Sequence, residues 1–148
     1  MKYYVCLIFI LFTDSSLAGA WGVGSFDNDS ALDWVYELES AATSTVLNDT
    51  FNNTQGRKYL EVDECSAAFA AAEIVASLNE KKYTHLPGEV QAWIKNNGIE
   101  VNQELKTRAA AAIASCKNSK ISEVAQLWEE SAKSEWISYI SKLQSRLR

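Results

Sequence analysis

Histidine is nearly absent from this chain, basic residues never cluster, and only the first residues string apolar side chains together. The single histidine, His85, gives no zinc motif, which needs several His or Cys ligands at set spacings. No nucleophile signature accompanies it. The 14 Lys and Arg are scattered against 19 Asp and Glu, for a net charge of −5. Binding a phosphate backbone needs clustered cations, so nucleic acid is a poor partner for an acidic chain with no basic run. Strand-like alternation and internal repeats are both missing. Gly22 and Gly24 precede no strand-to-helix unit with a lysine, which leaves no phosphate cradle. What remains is an acidic, helical chain for which no cofactor and no metal site is expected.

The start of the chain reads as a signal peptide over residues 1–20. Lys2 supplies a minimal positive charge, and Val5 to Phe12 is an apolar run broken only by Cys6. Ser16-Leu17-Ala18 and Ala18-Gly19-Ala20 both offer small residues for cleavage, after Ala18 or after Ala20. The run is far short of the roughly 20 residues that span a bilayer, so a cleaved signal is expected rather than a permanent anchor. Cys6 lies inside the run, with no small-residue cleavage site before it, and is not a lipidation site. The processed chain, 21–148, is long enough for one domain with one core. No second apolar run of spanning length follows. A secreted or periplasmic protein, free of the membrane after processing, is the expectation.

Helical periodicity dominates the rest. Leu32, Val35, Leu38, Ala42 and Val46 form one stripe over a helix predicted from Ser30 to Leu47. Ser30 or Asp29 would cap it, with Asp33 in its first turn. Asn48 to Lys58, rich in Asn, Thr and Gly, reads as a loop. A second helix, from near Asp63 to Leu78, is alanine-rich with Glu73 its one charge between Ala67 and Ala76, the pattern of a buried helix. Pro87 suits the first position of a short helix ending at Asn97-Gly98. Further helices are predicted over Gln103–Ser115, Lys120–Glu130 and Ser134–Leu147. The fold class is therefore all-α, a single compact domain of five to six helices.

Cys65 and Cys116 are the two cysteines outside the apolar run. If the two alanine-rich helices pack antiparallel, the start of one meets the end of the other, and a disulfide between Cys65 and Cys116 is expected. Closing that loop would contribute about 4 kcal/mol in the chain-entropy model. Three glycosylation sequons begin at Asn28, Asn48 and Asn52; such triplets arise by chance in Asn-rich chains and carry little weight.

The densest run of unusual residues is Gly19-Ala20-Trp21-Gly22-Val23-Gly24-Ser25-Phe26-Asp27-Asn28-Asp29-Ser30-Ala31-Leu32-Asp33-Trp34. Asp27, Asp29 and Asp33 imitate the start of a calcium loop. Leu32 and Leu38 then stand where such a loop needs its glycine and its bidentate glutamate. A capped helix entry is the competing account, with glycines turning the chain so that Trp21 and Phe26 plug the core. Glu73 also has two readings. It is either structural, accepting hydrogen bonds from Trp or Tyr side chains or from the glycine-rich run, or a functional acid beside the aspartates.

The same residues carry a resemblance. The run from Gly19 to Trp34 resembles the opening of the bacterial domain-of-unknown-function 4259 family. Tyr59-Leu60-Glu61, the helix Ala70 to Ala76, Leu86-Pro87-Gly88-Glu89-Val90 with Trp93, and Leu127-Trp128-Glu129-Glu130-Ser131 with Trp136 are similar to it as well. The resemblance implies a small helical domain and implies no activity. It makes Trp21, Gly22, Gly24, Phe26, Asn28, Asp29 and Trp34 the structural motif. Two functions stay open on the sequence. One is a non-enzymatic protein-interaction module, inhibitor- or immunity-like, whose partner is another protein. The other is a carboxylate-based hydrolase or metal-dependent enzyme using Asp27, Asp29, Asp33 and Glu73, which requires those groups to converge.

Overall fold

A computed structural model describes residues 22–41, 43 and 45–148. The expected signal peptide, both cleavage positions, Trp21 and Ala42 lie outside the described residues. Among the described residues the chain forms seven helices and no strand: α1 (Asp29–Ser40), α2 (Thr45–Asn52), α3 (Val62–Glu80), α4 (Gly88–Asn97), α5 (Gln103–Cys116), α6 (Glu123–Glu130) and α7 (Lys133–Arg146).

The fold is built around α3. Every residue from Ala68 to Ser77 is buried, so this helix has no solvent side over nearly three turns. Its alanines let neighbours approach closely, and α1, α2, α5, α6 and α7 all pack on it. Glu61 caps it in a reciprocal box: Glu64 Oε2 accepts from the Glu61 amide at 3.0 Å, and the Glu61 side chain accepts in return. At the other end Lys81 takes the left-handed conformation (φ +55°), and the Lys82 amide returns to the Ser77 carbonyl at 3.0 Å.

A bond between Cys65 and Cys116 joins the first turn of α3 to the last residue of α5, with Cα atoms 5.4 Å apart. The alanines of α5 are divided between core and solvent. In α5 only Leu105, Ala109, Ala112, Ile113 and Cys116 are buried, while Ala111 and Ala114 face solvent. Beside the disulfide, extended residues Leu60 and Ser122 pair in parallel. The Leu60 amide donates to Ile121 at 2.7 Å and the Glu123 amide to Leu60 at 3.0 Å, bracing the entries of α3 and α6 together.

Two boundaries differ from the periodicity. The helix predicted over Ser30–Leu47 breaks at Ala41, whose backbone is extended (ψ 123°) and whose carbonyl accepts the Trp93 indole N–H at 2.9 Å. That bond, made from α4, turns one predicted helix into two, and the count rises to seven. The predicted loop at Asn48 is instead the second half of α2. Thr50 there is buried, accepts the Trp34 indole N–H at 3.0 Å and donates to the Val46 carbonyl at 2.8 Å. A buried aromatic partner outweighs the weak helix propensity of Asn and Thr. Pro87 is the cap of α4 rather than its first helical residue, and Gly98 closes that helix at φ +56°.

Candidate functional site

The segment before α1 is a tight reciprocal turn. The Asp27 amide donates to the Gly24 carbonyl at 3.0 Å, and the Gly24 amide donates to Asp27 Oδ2 at 3.0 Å. The carboxylate thus folds back over the glycines. A Cβ on Gly22 or Gly24 would stand 2.7 or 2.5 Å from Asp27 Oδ2. The cap of α1 is Asn28, whose Oδ1 accepts from the Ala31 amide at 2.8 Å, in place of the expected Ser30 or Asp29. Asp29 occupies the first turn; Asp33 lies one turn further along and is exposed. Ser30 Oγ donates to Asp63 Oδ1 at 2.5 Å. Phe26 is partly buried and packs on the core.

The polar residues of all three sequons serve local structure. Asn28 caps α1, Thr50 satisfies Trp34, and the buried Thr54 hydroxyl donates to the Phe51 carbonyl at 2.8 Å. Asn52 Oδ1 accepts from Arg108 Nη1 at 2.7 Å.

Glu73 is 3 % exposed and lies at the centre of a polar cluster drawn from four parts of the chain. Its Oε1 accepts from Arg146 Nη1 at 2.6 Å and faces His85 Nε2 at 2.9 Å; Oε2 accepts from the Tyr139 hydroxyl at 3.1 Å. A carboxylate only accepts, so the phenol proton turns to Glu73. The Tyr139 oxygen then accepts from the Ser25 amide at 2.9 Å and from Ser25 Oγ at 2.9 Å. Arg146 Nε reaches Glu80 Oε2 at 3.0 Å, and its own carbonyl accepts from Asn79 Nδ2 at 3.0 Å. Burial, and then the Glu73 charge, push the Tyr139 hydroxyl up to about 12. Burial pulls Arg146 down, but the Glu73 hydrogen bond and charge, with Glu80 behind them, outweigh it and hold the guanidinium above its ordinary range. This arrangement binds the Ser25 segment to α3 and α7. Its outer edge is His85, about half exposed.

A tyrosine is among the partners the sequence suggests for Glu73, though not Tyr139 by position, and neither Arg146 nor His85 is expected there. The one signal for them was the requirement that a carboxylate on an apolar helix be paired.

The four candidate catalytic carboxylates are placed differently from one another. Glu73 is buried among its partners. Asp27 is turned to a backbone amide, and Asp29 and Asp33 are exposed on the entry and second turn of α1. No hydrogen bond joins any of the aspartates to Glu73. Among the described residues, no three His, Cys, Asp or Glu side chains come together as a metal site, and no helix is long and apolar enough to cross a membrane.

One concavity adjoins the cluster at Ser25 and Tyr139, and another lies on a different face. The first, of about 370 Å³, is lined mainly by apolar groups between the Gly22–Ser30 segment, the start of α3, α6 and α7. Trp128 and Trp136 stack on its wall with ring centroids 6.4 Å apart, and Phe69 meets Trp136 edge-on at 6.0 Å. The other is a groove between α1 and α3 carrying Asp33, Glu37, Asp63 and Glu64. Tyr36, 70 % exposed, projects from the same side of α1. Arg57 covers Glu64; Asp33 and Glu37 face no cation among the described residues.

No curated protein and no solved structure matches this chain. A family model described as "Domain of unknown function (DUF4259)" does match, over residues 19–138, and the protein belongs to that family.

Proposed function

We propose that the protein is a non-enzymatic binding module of the cell exterior or envelope, of the inhibitor or immunity type, and that the acidic α1–α3 face meets a basic surface on another protein. The observation that carries this reading is the contrast between its carboxylates. The buried one, Glu73, is fully partnered inside the fold, whereas Asp33 and Glu37 stand at solvent, with no cation among the described residues, beside the exposed ring of Tyr36. Unpaired rim charges steer a complementary partner and set specificity, and an exposed tyrosine is a frequent anchor. The location rests on the expected signal peptide. The enzymatic alternative needs Asp27, Asp29, Asp33 and Glu73 to act on one substrate, and the turn at Asp27 and the pairing of Glu73 give it no support.

The test is capture on the immobilised, disulfide-bonded protein from envelope and culture-medium extracts. A discrete basic protein should bind at low ionic strength, be released as salt rises, and fail to bind the double variant Asp33→Lys, Glu37→Lys. That variant should melt with the parent, since both positions are exposed. Equal capture by the variant would refute the assignment of the face. Turnover of an ester, peptide or glycoside that disappears in Asp27→Asn or Glu73→Gln would refute the non-enzymatic reading itself.

A further inference from the structure

The cavity of about 370 Å³ beside α6 and α7 takes no part in the acidic face. Its size falls within the roughly 300–1,000 Å³ of small-molecule sites. Phe69, Trp128, Trp136 and Tyr139 give it an aromatic lining. The two indoles stack and Phe69 meets Trp136 edge-on, so these rings hold one another in place and have little freedom left to lose on binding. Among the described residues its one charged lining group is Asp29, exposed in the first turn of α1, and no Lys, Arg or His lines it. The positive end of α1 does not reverse that sign. Asn28 already satisfies the Ala31 amide there, and a helix end is worth about half a charge against the full charge of Asp29.

Aromatic walls with one carboxylate at the rim favour a cation, because the ring quadrupole attracts positive charge. The polar lining groups decide which cation. The Tyr139 hydroxyl already donates to Glu73 and accepts twice from Ser25, and the Ser30 hydroxyl is turned to Asp63. With these groups engaged, an ammonium carrying three N–H donors would bury some of them unpaired. A fully methylated ammonium makes no such demand and meets apolar walls with its C–H surface. We propose that the cavity is a second binding site, taking a small quaternary ammonium compound with its charge near Asp29 and its methyl groups against the aromatic wall. Neither Asp33 nor Glu37 lines it, so the site stands or falls separately from the acidic face.

Probes of nearly one shape and different charge test this on the disulfide-bonded protein: choline, the neutral 3,3-dimethylbutan-1-ol and the anionic 3,3-dimethylbutanoate. Calorimetric titration at constant ionic strength should show saturable choline binding, about tenfold tighter than the alcohol, the scale of a desolvated cation–π contact. The anion should not bind. Ethanolamine, which carries N–H groups in place of the methyls, should bind more weakly than choline. Asp29→Asn, a change at an exposed position, should fold like the parent, weaken choline by about fivefold and leave the alcohol unchanged. Equal binding of choline and the alcohol would show an apolar pocket indifferent to charge and overturn the proposal. So would tighter binding of the anion, which would mean that the α1 amides set the sign. Choline binding unchanged in Asp29→Asn would place the cation elsewhere, and ethanolamine matching choline would remove the quaternary ligand. The absence of saturable binding at millimolar choline would remove the site.

Discussion

Replacing Glu73 by glutamine keeps the shape of the buried side chain and removes its charge. The amide has one accepting oxygen for the three donors now directed at Oε1 and Oε2 from Arg146, His85 and Tyr139. If that oxygen stays with Arg146, the new NH₂ faces a Tyr139 oxygen that already accepts twice from Ser25. If the amide flips, NH₂ faces the guanidinium. Either way at least one charge-assisted hydrogen bond is lost, worth about 1.5–3 kcal/mol. Breaking a fully buried ion pair costs about 3–5 kcal/mol, but Arg146 is a quarter exposed and keeps Glu80, so the lower end applies. The expected cost is about 2–3 kcal/mol, or a fall in Tm of about 8–12 °C for a domain of this size. Far-UV circular dichroism melts at neutral pH measure it. A double cycle with Arg146→Gln should show a coupling of about 1–2 kcal/mol. Glu73→Gln melting within about 2 °C of the parent, the range of a surface substitution, would refute the structural role of this carboxylate.

Three further outcomes follow from the same structure. Tyr139 keeps its proton in the folded state up to about 12 against 10.0 for an ordinary phenol, so its contribution to stability is complete below pH 10 and is lost as pH rises through about 12. Urea midpoints should therefore fall more steeply above pH 10 in the parent than in Tyr139→Phe; parallel profiles would contradict the shift. Reducing the Cys65–Cys116 bond, which spans a sequence separation of 51, should cost about 4 kcal/mol and lower Tm on addition of a phosphine reductant, with two thiols appearing by titration. Lys81→Gly should raise stability by about 1 kcal/mol, because glycine occupies the left-handed cap without the Cβ penalty lysine bears there; a lower Tm would show that the lysine side chain contributes more than its backbone costs.

The all-α class, the buried character of α3 and the pairing of Cys65 with Cys116 were legible in the chain itself. Each depends on composition within one segment, or on the ends of two segments meeting: an uninterrupted alanine-rich stretch has nowhere to go but the core, and antiparallel packing brings its start to another helix's end. The break at Ala41 and the continuation of α2 through Asn52 were not legible. Both are set by indole N–H groups, Trp93 onto the Ala41 carbonyl and Trp34 onto Thr50, and the first bond spans 52 residues. Local propensity carries no record of such a partner. The site divides in the same way. That Glu73 must be paired follows from a lone charge on an apolar helix, a matter of solvation that any buried position obeys. That its partners are Arg146, His85 and Tyr139, with Ser25 behind them, was decided by the docking of α7 and the N-terminal turn onto α3, because hydrogen bonds across 66 and 73 residues exist only once those surfaces have met.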